Sequence, residues 1–168
     1  MSASNGHTTD PELRLSLVVP IHNEAENIRN LVDEIAAILL PLGAIEVLLM
    51  DDASSDDSRA LMEAWKSEHR ASWLRIMCLE HQSGQSGALL AGIEQTRAGL
   101  VCTMDGDLQN DPRDLVKMLE ILADPEVAGV TGIRANRRDT FVRRVSSRIG
   151  NFVRNRITGD RVADSGSE

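Results

Sequence analysis

The chain has 168 residues, of which 42% are hydrophobic, enough for one domain with a real buried core. A formal net charge of −8 and an isoelectric point near 5.0 exclude a general nucleic-acid binder, because phosphate backbones are held by a surplus of Lys and Arg. Two Trp, two Phe and no Tyr leave little for base stacking.

Residues 1–12 are polar, with neither a basic start nor an apolar core of the signal-peptide kind, and read as a disordered N-terminal segment of a cytoplasmic protein. The longest apolar segment, Ile35 to Met50, is broken by Pro41, Gly43 and Glu46. A membrane helix needs about 20 unbroken apolar residues, so no span is expected.

Leu13 to Pro20 passes from alternation into a continuous apolar run, the pattern of a strand covered on both faces, and Pro20 is expected to end it. His22-Asn23-Glu24 follows as a polar loop. Apolar residues at Ile28, Leu31, Val32, Ile35, Ile38 and Leu39 recur at helical spacing, predicting a helix over Glu26 to Leu40 that Pro41 and Gly43 stop. Ile45 to Met50 reads as the second strand, with the loop Asp51-Asp52-Ala53-Ser54-Ser55-Asp56-Asp57 after it. Leu61, Met62 and Trp65 then carry a helix toward His69. Trp73 to Leu79 is the third expected strand, Gly87 to Thr96 a third helix, and Leu100 to Met104 the fourth strand.

Asp111-Pro112 has the order of an N-cap followed by proline at the first helical position, with Leu115, Met118, Leu119 and Leu122 as the buried stripe of that helix. Val127 to Ile133 is expected to be a fifth strand. Cys78 and Cys102 both lie in strand-like apolar runs, where a reduced, buried thiol is the ordinary outcome.

Strands alternating with helices predict an α/β fold with a mostly parallel sheet and helices on both faces. In such sheets ligands bind beyond the carboxyl ends of the strands. Three polar loops fall on that edge: His22-Asn23-Glu24, Asp51-Asp52 and Asp105-Gly106-Asp107. An Asp-x-Asp pair can present two oxygen ligands to one hard divalent cation, which in turn holds phosphates. Alone, that pair is more often a solvated turn. Three acidic or polar loops gathered on one edge favour a site.

Beyond Arg134 the charge is mostly arginine, with Arg137, Arg138, Arg143, Arg144, Arg148, Arg154, Arg156 and Arg161, and Val142, Val145, Ile149, Phe152, Val153 and Ile157 fall at helical spacing. A basic amphipathic segment of this kind faces phosphates or an anionic membrane surface, or is a surface helix with a solvated basic face.

Other templates fail. Gly84, Gly87 and Gly92 do not form a dinucleotide-binding turn after the first strand, and no phosphate-binding Gly-Lys-Ser/Thr occurs. A calcium loop started at Asp105 would need Gly where Asn110 stands and Glu where Val116 stands. Ser83 and Ser86 lack a nucleophile elbow.

Four segments in order, Val18-Val19-Pro20-x-x-Asn23-Glu24, Met50-Asp51-Asp52-Ala53-Ser54-x-Asp56, Gly84-Gln85-Ser86-x-Ala88-Leu89-x-Ala91-Gly92 and Met104 to Pro112, resemble family 2 glycosyltransferases. Their polyprenyl-phosphate branch, which includes dolichyl-phosphate mannose synthases and undecaprenyl-phosphate glycosyltransferases, is the nearest likeness. The resemblance implies a glycosyltransferase A-type (Rossmann-like) fold. It also implies inverting, metal-dependent transfer of a sugar from a nucleotide-diphosphate sugar, UDP- or GDP-linked, to a polyprenyl phosphate.

By match to the family's motifs, Pro20, His22, Glu24 and Asp52 would line the nucleotide pocket, with Asp52 reaching the base and His22 standing where Tyr is commoner. Asp105 and Asp107 would address Mg²⁺ or Mn²⁺ and the donor diphosphate, with Gln109 close by as a further metal-side residue. Arg134 would join Asp105 and Asp107 in the catalytic set by contacting phosphate, and Arg143 and Ser147 would hold the acceptor phosphate.

On this reading residues 13–134 are the nucleotide-sugar-binding catalytic core and residues 135–168 a basic amphipathic segment facing acceptor or membrane. The family continues beyond the point where this sequence stops, so a shortened enzyme is expected. It would work in the cytoplasm, at the inner face of the membrane. Peripheral membrane contact and a homo-oligomer are compatible with it. The rival readings are a nucleotide-binding domain without transfer activity and a sugar nucleotidyltransferase. The last lacks the expected Gly-rich N-terminal loop.

Overall fold

A computed structural model describes residues 9–124 and 126–132. The chain divides into two units, Met1–Thr131 and Gly132–Glu168, and the architecture below is that of the first.

Four parallel strands form one sheet in the order β3-β2-β1-β4, with β1 at Leu15–Ile21, β2 at Ile45–Asp51, β3 at Leu74–Cys78 and β4 at Val101–Thr103. The helices between them are α1 (Ile28–Leu39), α2 (Ser58–His69) and α3 (Gly84–Ile93), and α4 (Pro112–Ile121) follows β4. Side chains alternate across the strands. Leu15, Leu17, Val19 and Ile21 of β1 and Ile45, Val47 and Leu49 of β2 join a buried cluster with residues of α1, Met62 and Trp65 of α2, and Leu115 of α4. The intervening Val18 and Met50 face α3, where a Cβ added to Gly92 would stand 2.5 Å from Val18 Cγ1 and 2.7 Å from Met50 Cγ. Gly92 thus lets α3 lie close on the sheet. Helices cover both faces, so every residue of β2 is buried.

Local sequence explains the element ends. Ile28, Leu31, Val32, Ile35 and Leu39 are all buried on one stripe of α1, and a short 3₁₀ turn over Leu40–Leu42 ends at Gly43, whose φ of 110° suits glycine. Asp111 caps α4 as its sequence predicts: it is extended, its carboxylate accepts from the Arg113 N–H at 2.9 Å, and Pro112 follows at the first position.

Several expectations need correction. Pro20 does not end its strand; β1 runs through it to Ile21. Residues of β1 address β2 and β4 alternately: Ser16 N–H donates to Leu100 O and Val18 O accepts from Met104 N, whereas Ile21 O accepts from Asp52 N. Pro20 therefore faces the β4 side, where the ladder stops at the Val18–Thr103 pair, so its missing N–H costs no bond to β2.

The fifth strand expected at Val127 to Ile133 is absent over the described residues 127–132. Val127 N–H donates to Asp124 O at 3.0 Å and so closes a turn, and Gly129 and Gly132 weaken strand propensity in the run that follows. Helix α3 opens at Gly84, three residues before the apolar periodicity begins. Cys78 is exposed at the carboxyl end of β3, so only Cys102 behaves as a packed thiol, its pKa pushed up to about 11 by burial.

At the amino end of the sheet the buried Glu46 carboxylate, 1% exposed, accepts from Ser16 Oγ at 2.6 Å, Arg97 Nε at 2.8 Å and Arg75 Nη1 at 3.1 Å. Burial alone would raise this carboxyl, but the bonds from Ser16, Arg97 and Arg75 outweigh it and hold the group below its ordinary range. No helix among the described residues is long and apolar enough to cross a membrane.

Candidate functional site

From β1 the strand order runs one way through β2 and β3 and reverses to reach β4, so the switch point lies between β1 and β4. The loops after β1, β2, β3 and β4 all leave the same carboxyl edge because the strands are parallel. Side-chain hydrogen bonds then lock these loops to one another.

The first lock joins the loops after β1 and β2. Asn23 takes a left-handed φ of 55°, which Asn tolerates, and its Oδ1 accepts from the Ser55 N–H at 2.8 Å and the Asp56 N–H at 3.3 Å. The Asp56 carboxylate accepts from the Ala25 N–H at 3.0 Å, and Ser58 Oγ accepts from the Glu24 N–H at 2.8 Å. Glu24 itself accepts from Asn27 Nδ2 at 2.6 Å through its side chain.

This arrangement fixes the His22 ring. Because Asn23 Oδ1 is committed to two backbone donors, its Nδ2 is the atom 3.2 Å from His22 Nε2, which must therefore accept. His22 Nδ1 then carries the proton and donates to Asp52 O at 2.8 Å. Gln82 Nε2 donates to the same Nε2 at 3.1 Å.

Asp52 holds the next loop. Its carboxylate is 2% exposed and accepts from the Ser83 N–H at 2.6 Å, Ser83 Oγ at 2.8 Å and the Gly84 N–H at 2.8 Å. These donors lie at the N-terminus of α3, where unpaired N–H groups and the helix dipole favour an anion. Burial pushes the Asp52 carboxyl up, but the Ser83 and Gly84 bonds outweigh it, so the group sits below the usual carboxylate range. Gly87 has no room for a side chain: an added Cβ would stand 2.6 Å from Ser83 Oγ.

Gln85, the next residue, donates from Nε2 to Asp105 Oδ1 at 2.6 Å. Asp105 and Asp107 are half-buried. Gly106 between them presses on β1, since a Cβ there would meet Ile21 Cδ1 at 2.6 Å and Pro20 O at 3.0 Å. Asp107 Oδ1 accepts from the Gln109 N–H at 3.0 Å, which closes a turn over Leu108 at φ 60°.

Of the residues expected from the sequence, His22, Asp52 and Asp105 are thus brought onto one hydrogen-bonded framework, and Asp107 is tied to Asp105 through Gly106. Pro20 lies half-buried near the end of β1, while Glu24 stabilises the entry to α1. Gln109 is exposed beside Asp107. Arg134, Arg143 and Ser147 lie outside the described residues.

Sequence reasoning gave no role to Asn23, Gln82, Ser83 or Gln85, although Asn23 and Gln85 stand inside the segments that carried the family resemblance. The turn before α3 offers no periodicity, and only the fold reveals that it touches three other loops.

Among the described residues no group of three His, Cys, Asp or Glu side chains is placed to hold a metal ion alone. Asp105 and Asp107 fit a different kind of site. Mg²⁺-like ions are commonly held by one or two carboxylates, the remaining positions going to water and substrate phosphates.

The sequence profile described as Glycosyl transferase family 2 matches residues 16–166. The dodecaprenyl-phosphate galacturonate synthase of Rhizobium johnstonii is 42% identical over 164 residues, covering 95% of this chain and 48% of that protein. The undecaprenyl-phosphate 4-deoxy-4-formamido-L-arabinose transferase of Yersinia pestis is 35% identical over 159 residues, again covering 48% of its own length and 94% of this chain. The chain thus spans about half the length of these curated relatives. Among solved structures, the mannosyltransferase of Pyrobaculum calidifontis in complex with GDP-Man and Mn²⁺ superimposes with a TM-score of 0.61 at 27% identity, over 73% of this chain and 36% of that one. Staphylococcus aureus TarS (residues 1–349) in complex with UDP-GlcNAc gives 0.58 at 20% identity over 76% and 39%, a likeness of fold. With nine-tenths of its length matched by one profile, in order through all four strands, the chain belongs to glycosyl transferase family 2.

Proposed function

We propose that the chain carries the donor-binding half of a polyprenyl-phosphate glycosyltransferase, which moves a sugar from a nucleoside diphosphate to a lipid phosphate with inversion. The observation that carries this reading is the single framework joining His22, Asp52 and Asp105 at the switch point of the sheet. Support comes from relatives named for transfer to dodecaprenyl and undecaprenyl phosphate, and from a structural neighbour bound to GDP-Man and Mn²⁺.

In this reading the nucleoside lies over the His22 and Asp52 loops, with Pro20 and Glu24 at its border, and the diphosphate reaches the Asp105–Asp107 loop. Asp105 and Asp107 would hold Mg²⁺ or Mn²⁺, whose chemistry is to neutralise charge on the departing nucleoside diphosphate. Gln109 would border the same ion. The buried Asp52 keeps the N-terminus of α3 fixed under the donor, so the turn at Ser83 and Gly84 is already ordered before it binds. A phosphate oxygen of the acceptor attacks the anomeric carbon as the bond from that carbon to the diphosphate oxygen breaks. The acceptor is already an anion, so no side chain must remove a proton. Arg134 would contact phosphate, and Arg143 and Ser147 would hold the acceptor phosphate. The work would take place at the cytoplasmic face of a membrane.

Calorimetry of UDP, GDP and their sugars with the full chain, with and without Mn²⁺ or Mg²⁺, tests the donor half. Metal-dependent affinity lost in Asp107→Ala is the expected result, and equal affinity in both settings refutes it. Lipid-linked product formed in a vesicle assay would establish transfer; binding without product would limit the chain to donor recognition.

A further inference from the structure

One four-residue turn touches every other loop of the site. Gln82 donates to His22 after β1, Ser83 and Gly84 donate to Asp52 after β2, and Gln85 donates to Asp105 after β4. The first three contacts organise the nucleoside side. Only Gln85 reaches the carboxylate pair that the metal reading depends on, so its contribution is separable from theirs.

We propose that Gln85 is a positioning residue for the diphosphate–metal centre, acting through Asp105. The inference rests on the donor-binding reading above and adds a residue to it.

The physical case has three parts. Asp105 follows β4, which pairs with β1 over only three residues, so the sheet alone gives this carboxylate weak support. Gln85 supplies an anchor from a rigid element: it lies in the first turn of α3, which is pinned by the buried Asp52 carboxylate at one end and packed through Gly92 onto Val18 and Met50 at the other. Finally, the bond is short, 2.6 Å, and holds Asp105 by a named oxygen, Oδ1. A carboxylate oxygen has two lone pairs, so a hydrogen bond from Gln85 and a bond to a cation are compatible on one carboxylate. Holding a ligand oxygen in one orientation before the ion arrives is the usual work of groups that hydrogen-bond to metal ligands, and losing them weakens metal affinity.

The test uses the full chain, with Mn²⁺ plus UDP or GDP as probes and UMP or GMP without metal as the control. Gln85→Met keeps the stem and removes the donor; Gln85→Ala removes both. Gln85 is exposed, and matching thermal melts would establish that both variants keep the fold. The expected result is a loss of about fivefold to tenfold in Mn²⁺-dependent diphosphate affinity, with monophosphate binding changed less than about twofold.

The decisive comparison repeats Gln85→Met in an Asp105→Ala background, where no side-chain acceptor remains for Gln85. There it should change nothing further if Gln85 acts through Asp105. An equal loss in both backgrounds, equal weakening of mono- and diphosphate binding, or Mn²⁺-dependent affinity unchanged or tightened in Gln85→Met would each overturn the proposal. If the wild-type chain itself shows no metal-dependent binding, the donor reading fails first and this one with it; wild-type metal dependence beside an inert Gln85 would sink only the present inference.

Discussion

Asp52→Asn replaces one carboxylate oxygen by an amide NH₂ while keeping the shape of the side chain. If the remaining oxygen stays with Ser83, the new NH₂ faces the Gly84 N–H at a separation of 2.8 Å, donor against donor; flipping the amide sets it against both Ser83 donors at 2.6 and 2.8 Å. The better rotamer loses one hydrogen bond to a charged acceptor and part of the anion's interaction with the α3 dipole. Together these are worth about 2–3 kcal/mol at this largely buried position. For a chain of this size that corresponds to a melting temperature lower by about 6 °C.

The pH dependence supplies a second check on the same substitution. The folded pKa of Asp52 lies below its ordinary value of 3.8, because the Ser83 and Gly84 bonds outweigh the opposing effect of burial. Its stabilisation is therefore complete above that ordinary value and is lost as pH falls through the lower folded value. Urea unfolding of wild type and Asp52→Asn from pH 7 to pH 3 should show a constant gap down to about pH 4 that narrows below it. A gap under about 0.5 kcal/mol at pH 7, or one that widens with acid, would refute the assignment of Asp52 as the anchor of α3.

Two other substitutions probe separate parts of the molecule. Gly106→Ala sets a methyl group 2.6 Å from Ile21 Cδ1 and 3.0 Å from the fixed Pro20 O, so the Asp105–Asp107 loop must move; metal-dependent diphosphate affinity is expected to fall at least about tenfold by calorimetry, with a stability loss of about 1–2 kcal/mol. Glu46→Gln leaves Arg97 and Arg75 without their carboxylate partner, and since those side chains are 48% and 27% exposed, water recovers part of the loss. About 2 kcal/mol of destabilisation in urea is expected at pH 7. Because the Glu46 carboxyl lies below its ordinary 4.5 on folding, despite the opposing effect of burial, the difference should shrink as pH falls beneath that value.

Periodicity was a sufficient guide where one physical cause dominated. The buried stripe of α1 and the cap at Asp111-Pro112 follow from side-chain chemistry within a few residues, and the doubly covered β1 from its continuous apolar run. Asp105 and Asp107 could be proposed as metal ligands from the sequence because the Asp-x-Asp pair falls in a group of polar loops on one sheet edge. Legibility ended where partners are distant in sequence. Nothing near Gln85 announces Asp105, twenty positions on, and Asn23 gains its meaning only when the loop after β2 is folded beside it. Val127 misled for the converse reason. An apolar run becomes a strand only if a neighbouring strand accepts its bonds, and here the N–H of Val127 turns back to Asp124.

Pro20 places a missing donor at the fork of the sheet. Strands β1 and β4 pair Ser16 with Val101, Leu17 with Cys102 and Val18 with Thr103; carried two residues further, that register would set Pro20 opposite Asp105. Without an N–H on that side, Pro20 cannot donate the next bond of the β1–β4 ladder and keeps only its carbonyl as an acceptor, while on its other side β1 stays paired with β2 as far as Ile21. One imino nitrogen thus acts as a stop on the ladder. It leaves the first aspartate of the acidic pair outside the sheet, at the mouth of the cleft between two strands that would otherwise close on it.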